Sequence, residues 1–451
     1  MANVINQAQP PLKFIAPAFN PMVLQVVRVL LPGWIRLRSP LAEIQGQNLE
    51  RLAQLYQEFE QGKIRFIIAF RHPSIRDPLA LVYTLWHLLP QAAKTANISL
   101  TQPTHAHFLY DRGIPLWAGP AVGWLFSQLG GISILRGKLD RLGLRTAREL
   151  FATGKFPLAA APEGATNGHN EIISPIEPGI SQMAFWCAED LHKAGTNQEV
   201  FIVPLGIKYH YLQENWEALE ALMTAMESDC GLPPLPGDRT INPKASELYP
   251  RLIRLGNHLL SLMEDFYRQF YHQDIPKDNQ PELPGRLKVI LDVALQVAEQ
   301  YFDIKPKGGL VDRCRRLEQA GWDCIYREDI ENPEALSPVE RGLANLVAEE
   351  ANLRMWHMRL VESFVAVTGQ YVRENPTFER FAETTLLVAK TISRIKRGSP
   401  FAGELLGQQR VVLQVGEPLS VTNRWDAYQT NRRSAVSELT ADLQSALEAM
   451  M

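Results

Sequence analysis

Cysteine is scarce: Cys187, Cys230, Cys314 and Cys324 are the only four in 451 residues. That is too sparse for a disulfide scaffold, and their spacing is not that of a metal site, so a reducing compartment and no cysteine-held metal are expected; separately, no bound cofactor is expected. An excess of charge of one sign is also lacking, since 46 Lys and Arg face 49 Asp and Glu for a formal net charge of −3. No overall basic footprint points to nucleic acid. Uninterrupted apolar stretches of about 20 residues are missing, so a spanning helix is not expected. A charged leader followed by an apolar core and a cleavage site is missing too, so secretion is not expected. No repeat of about 20 to 50 residues is evident. What remains is a chain long enough for one large domain with an insertion, or for two domains.

Against that background stands Arg71-His72-Pro73-Ser74-Ile75-Arg76-Asp77-Pro78. The preceding run 64–70, rich in Ile and Phe, reads as a buried strand, so His72 falls where a strand emerges into a turn. A neutral imidazole takes a proton from a hydroxyl near pH 7. A carboxylate on its other ring nitrogen fixes the tautomer and stabilises the imidazolium. If the attacking hydroxyl belongs to the substrate, His72 and Asp77 need no serine or cysteine nucleophile. The plainer reading is a helix start, with Asp77 at the cap and Pro78 at the first helical position.

Three further segments follow in order. Gly130-Gly131-Ile132-Ser133-Ile134-Leu135-Arg136-Gly137 is a short β-like run whose guanidinium can grip an anion. Ala161-Pro162-Glu163-Gly164-Ala165-Thr166-Asn167-Gly168 breaks an apolar run around one carboxylate. Phe201-Ile202-Val203-Pro204-Leu205-Gly206-Ile207-Lys208-Tyr209 is a strand interrupted by a proline, which cannot donate to a central ladder. Singly these read as a surface cation, a solvated turn and an edge break.

Together the four resemble, in order, the motifs of the glycerolipid acyltransferase family, of the lysophosphatidic acid and lysophospholipid acyltransferase type. His72 and Asp77 match its His-x4-Asp pair, and Gly131 to Arg136 its Gly-x4-Arg block. Pro162-Glu163-Gly164 matches Pro-Glu-Gly, and Ile202-Val203-Pro204-Leu205 the apolar-Pro-apolar block. The resemblance spans about residues 60–210. It implies a membrane-associated enzyme of phospholipid biosynthesis, with His72 as base and Asp77 as its orienter. The fatty acyl thioester is carried by coenzyme A or acyl carrier protein, and the acceptor hydroxyl belongs to a lysolipid. Arg136, Glu163 and Gly164 would bind the acceptor. The phosphate-selective members usually continue with Thr-Arg-Ser, whereas this chain has Ala165-Thr166-Asn167-Gly168, closer to a Thr-Asn-Gly variant. A headgroup-bearing lysolipid or another lipid hydroxyl therefore stays open as acceptor, as does a catalytically silent lipid-binding or scaffold protein. Arg71 stands where many members have Asn.

Alternating strand and helix signals predict an α/β fold, a mixed sheet flanked by helices, with a large helical insertion. Helices are expected over 48–62, 78–89, 139–153 and 177–194, and strands near 105–109 and 201–209. Pro-rich punctuation then separates helices at 248–271, 286–302, 338–373 and 378–396. A strand near 410–419 and a final helix over 431–450 close the chain. The expected organisation is an N-terminal segment at 1–59, an acyltransferase-like core at 60–212, a helical insertion at 213–406 and the closing part of the core at 407–451. Residues 19–38, apolar with Trp34 and bracketed by Arg28, Arg36 and Arg38, read either as a membrane-interfacial anchor broken at Pro32-Gly33 or as a helix packed on the core. The expected location is cytoplasmic, at a membrane surface. His357, among apolar neighbours, reads as a packing histidine. Arg141, Arg145 and Arg148 read as a solvated helix face.

Overall fold

The structure, a computed structural model, describes residues 7–101, 103–135, 140–233, 245–276, 282–364, 367, 369–398 and 406–451. The chain forms two compact units, one of Phe14–Leu212 with Gln408–Met451 and one of Met1–Lys13 with Gln213–Gly407.

The first unit is α/β. Its strands are β1 (Leu41–Gln47), β2 (Ile64–Phe70), β3 (His107–Asp111), β4 (Ile132–Ile134), β5 (Leu158–Ala160), β6 (Glu199–Tyr211), β7 (Gln409–Val415) and β8 (Leu419–Ser420). They form one eight-stranded mixed sheet in the order β1-β7-β6-β2-β5-β3-β4, with β8 beside β6. Strands β6, β2, β5, β3 and β4 run parallel, β7 and β8 antiparallel to β6, and β1 parallel to β7. Strand β2 is apolar throughout because both its faces are covered. Phe66, Ile68 and Phe70 join one core layer with Leu52, Leu85 and Trp86. Ile67 and Ala69 join the other with Phe151, Phe185 and Leu439.

Residues 14–59 belong to this unit rather than to a segment of their own: β1 pairs with β7, and helix Leu49–Glu60 packs Leu52 and Tyr56 into the core. Helix Pro21–Arg38 does not break at Pro32. Proline cannot donate to the carbonyl four residues back, which is that of Arg28. The ring Nε2 of His87 meets the Arg28 carbonyl at 3.2 Å and supplies the missing donor. Strand β6 likewise runs through Pro204. The carbonyl of Pro204 accepts from Gly416 N, so its donorless nitrogen points to the same side, between the partners β7 and β8, while Leu205 faces β2. The proline therefore lies in a central strand without breaking it.

The second unit is helical, with Trp216–Asp229, Ala245–Tyr271, Leu283–Phe302, Leu310–Ile325, Pro338–Glu362 and Phe378–Ile395 as its longer helices. The first and fourth have no counterpart among the expected helices. Arginines tie successive helices, buried Arg251 to Glu227 at 2.7 Å, partly buried Arg286 to Glu264 at 2.9 Å and buried Arg313 to Glu299 at 2.7 Å. His357 is a packing histidine whose Nδ1 and Nε2 meet the hydroxyls of Tyr267 at 2.8 Å and Tyr271 at 3.1 Å.

Candidate active site

In an open parallel sheet, functional groups collect beyond the carboxyl ends of the strands, where the chain direction switches. Strands β2 and β5 are parallel neighbours. His72 follows the end of β2 and Glu163 the end of β5, so the sheet brings together two residues far apart in sequence.

His72 and Asp77 form a pair, with Nδ1 to Oδ2 at 2.9 Å. Asp77 is fully buried, whereas the His72 side chain is 20% exposed. With the carboxylate ionised, Nδ1 carries the proton and Nε2 presents a lone pair. Among the described residues Nε2 has no hydrogen-bond partner. Phe70 packs edge-on to the imidazole.

Asp77 is the first residue of helix Asp77–Tyr83, but its carboxylate does not cap that helix. It turns back, accepting from Ser74 N at 2.7 Å through Oδ2. Oδ1 accepts from the hydroxyl of Tyr209 at 2.5 Å. Burial raises the Asp77 pKa above the usual aspartate value, opposed by the bonds from His72, Tyr209 and Ser74. Burial, with Asp77 alongside, pushes the Tyr209 phenol well above its ordinary value, so it is a proton donor. Tyr209 is the functional side chain that sequence reasoning missed. Its signal is positional, as it ends the buried face Val203, Leu205, Ile207, Tyr209 of its strand.

Glu163 is buried, with no face for an acceptor. Its Oε1 accepts from the backbone N–H of His72 at 2.8 Å, and its Oε2 from Ser174 N and the Asn167 side chain, both at 3.1 Å. Its charge partner is Arg71, fully buried, with Nε 3.7 Å from Oε1. Burial raises the Glu163 pKa, and Arg71 opposes the rise. Arg71 also donates to the carbonyls of His169 and Ile172. The geometry therefore gives Glu163 a positioning role: it holds the backbone of the base. Gly164 has φ 73°, a left-handed conformation that glycine adopts without strain. Its part is to turn the chain away from Glu163. Gly168 N donates to Pro73 O at 3.1 Å, and Asn170 bonds both backbone groups of Tyr209. The loop after Glu163 is thereby stitched to the His72 turn and to β6.

Arg136 lies outside the described residues. The flanking chain is anchored: Asp140 accepts from Leu135 N at 2.9 Å and Gly143 N at 3.0 Å, and pairs with buried Arg112. Arg148 is not part of a solvated face, since it forms two 2.6 Å bonds to Asp190 on the neighbouring helix.

The four thiols and five of the histidines are muted. Burial raises all four thiols above the ordinary cysteine value. Burial lowers His87, His105, His107, His169 and His357, and takes His105 and His357 to about 4. Among the described residues no three His, Cys, Asp or Glu are grouped to hold a metal ion. Comparison with family models, with curated proteins and with solved structures returns no match.

Proposed function

We propose that the chain is an O-acyltransferase that moves a fatty acyl group from a thioester to a lipid hydroxyl, within an α/β core of the glycerolipid acyltransferase type. The observation that carries this reading is the half-open pair: a buried, triply bonded Asp77 orients His72, whose second nitrogen is left for a substrate. The acceptor hydroxyl gives its proton to His72 Nε2 as its oxygen attacks the thioester carbonyl. The tetrahedral intermediate then collapses, the carbon–sulfur bond breaks, and the departing thiolate takes the proton from the imidazolium. Base catalysis of this kind is worth typically about 10²–10⁴-fold. Muted cysteines favour direct transfer over a cysteine-bound acyl intermediate.

The donor is acyl coenzyme A or acyl carrier protein, and the acceptor is a glycerolipid hydroxyl. A headgroup-bearing lysolipid suits the site better than a bare phosphomonoester, because Thr166 stands where phosphate-selective members carry a cation and the neighbouring Asn167 amide turns inward onto Glu163. In this reading Arg136 grips the acceptor's anionic group. Docking at a bilayer is supported by helix Pro21–Arg38, which buries Leu24, Leu31 and Ile35 while leaving Val29, Leu30, Trp34 and Leu37 more than half exposed. Among the described residues no helix is long and apolar enough to cross a membrane.

The test is thiol release from acyl coenzyme A and acyl carrier protein, with and without a panel of lysolipids. Acceptor-dependent release that His72→Ala reduces by about 10²-fold or more in a folded protein is expected. Release that ignores the acceptor, or survives in His72→Ala, would refute the proposal.

A further inference from the structure

The helical unit contains a cleft that the chemistry at His72 does not use. It encloses about 1080 Å³ free of protein atoms, its opening to solvent included. Its walls come from four helices, Ala245–Tyr271, Leu283–Phe302, the end of Pro338–Glu362, and Phe378–Ile395, with Phe364, Val367, Gly369, Tyr371 and Val372 between the last two. Among the described residues none of its lining is Asp, Glu, Lys, Arg or His, and its polar side chains are those of Tyr249, Tyr267, Tyr371, Thr384 and Thr391. Along the first helix the lining runs from Tyr249 to Tyr267. At 1.5 Å per residue that stretch is about 27 Å long. Leu252, Leu260, Leu287, Ile290, Leu291 and Val388 each keep 5–8% exposure, facing the void instead of closing on one another.

Gly256 lies in the middle of this lining. Glycine inside a helix costs stability relative to alanine, and one common compensation is the close approach of another group. A Cβ there would meet Leu283 at 3.3 Å, a tight contact, so any larger side chain at this wall displaces Leu283.

Length and the absence of charged side chains together select the occupant. A compact ring would span only part of that length, and a charged ligand would find no counter-charge along it. We infer that the helical unit holds one long, unbranched hydrocarbon chain, that of a fatty acid or of a lipid bearing one. This site is independent of the transferase reading, and either can fail without the other.

The test uses the full chain and the fluorescent fatty acid cis-parinarate, displaced in turn by palmitate, palmitoyl coenzyme A, lysophosphatidylcholine and octanoate. The long-chain competitors displace the probe and octanoate does so at least tenfold less well; which of the three acts best identifies the chain's source. Gly256→Leu puts a branched side chain into the cleft wall and pushes Leu283 aside, so it binds at least tenfold more weakly. His72→Ala binds as wild type, which separates this site from the transferase centre. Palmitate carrying a diazirine, photolysed on the wild-type protein, labels peptides of 245–271, 283–302 and 378–395. A folded Gly256→Leu protein with wild-type affinity, or labelling confined to 14–212, overturns the inference.

Discussion

Replacing Tyr209 by Phe removes one oxygen atom from a buried site and keeps the ring in its packing. The lost hydroxyl is the only partner of Asp77 Oδ1 among the hydrogen bonds described, and it donates to a carboxylate that burial already penalises. A hydrogen bond to a charged group is worth about 1.5–3 kcal/mol. If that energy holds Asp77 ionised and aligned during transfer, kcat falls by about 10- to 150-fold. Because the group acts through Asp77 and touches no substrate, the KM for donor and acceptor stays near wild type. The same loss weakens the fold, and for a unit of this size Tm drops by roughly 3–12 °C. Thiol-release kinetics in Tyr209→Phe, Asp77→Asn and the double variant form a cycle. Asp77→Asn itself loses activity without a fall in Tm. The folded pKa of Asp77 lies above its unfolded value, so above both values ionisation costs stability, and the neutral amide escapes that cost. With Asp77 already replaced, Tyr209→Phe adds little. If the two losses multiply instead, Tyr209 does not work through Asp77 and this reading of the site is wrong.

Glu163→Ala removes the acceptor of the bonds from His72 N, Ser174 N and the Asn167 amide, so stability falls by about 1–3 kcal/mol in denaturant titration. An unchanged midpoint would mean these bonds carry no stability. His105 and His357 are held neutral, with pKa near 4 against 6.5. Stability is complete above pH 6.5 and falls as pH drops to about 4, by roughly 3 kcal/mol for each, because only the unfolded chain takes up the proton in that window. Ring resonances of both histidines in the native protein should not titrate above pH 5, and a midpoint near 6.5 would refute the assignment. At the membrane, polar replacement of Leu30, Trp34 and Leu37 should abolish salt-resistant cosedimentation with anionic liposomes, since Arg36 and Arg38 alone give only salt-sensitive adhesion. A folded triple variant that pellets like wild type at high salt would exclude this helix as the anchor.

Strand β2 was legible to the residue because a strand covered on both faces is written as one apolar run. His72 and Asp77 were legible because their meeting is local, across one turn. The roles of Glu163 and Tyr209 were not. Glu163 reaches His72 only because the chain returns to lay β5 beside β2, and Tyr209 meets Asp77 across 132 residues. Strand order decides both, and no window of sequence contains it. Strand β1, Leu-Ala-Glu-Ile-Gln-Gly-Gln, was invisible for the opposite reason: it lies at the sheet edge and buries little beyond Leu41. Pro32 and Pro204 obey the local rule, yet each is accommodated by distant geometry, a histidine from another helix in one case and a gap between two partner strands in the other.

The split of the α/β unit around the helical one sets an order of events during synthesis. Residues 205–211 of β6, which carry Tyr209, have β7 as their antiparallel partner. That partner leaves the ribosome only after 213–407 has been made, a delay of roughly 10–40 s at about 5–20 residues per second. Until then residues 205–211 of β6 lack their β7 partner, and the hydroxyl that holds Asp77 stands on an unpaired edge. A nascent chain can already form the local pair of His72 and Asp77 beside β2, so the last step of assembly secures the orienter and does not create it.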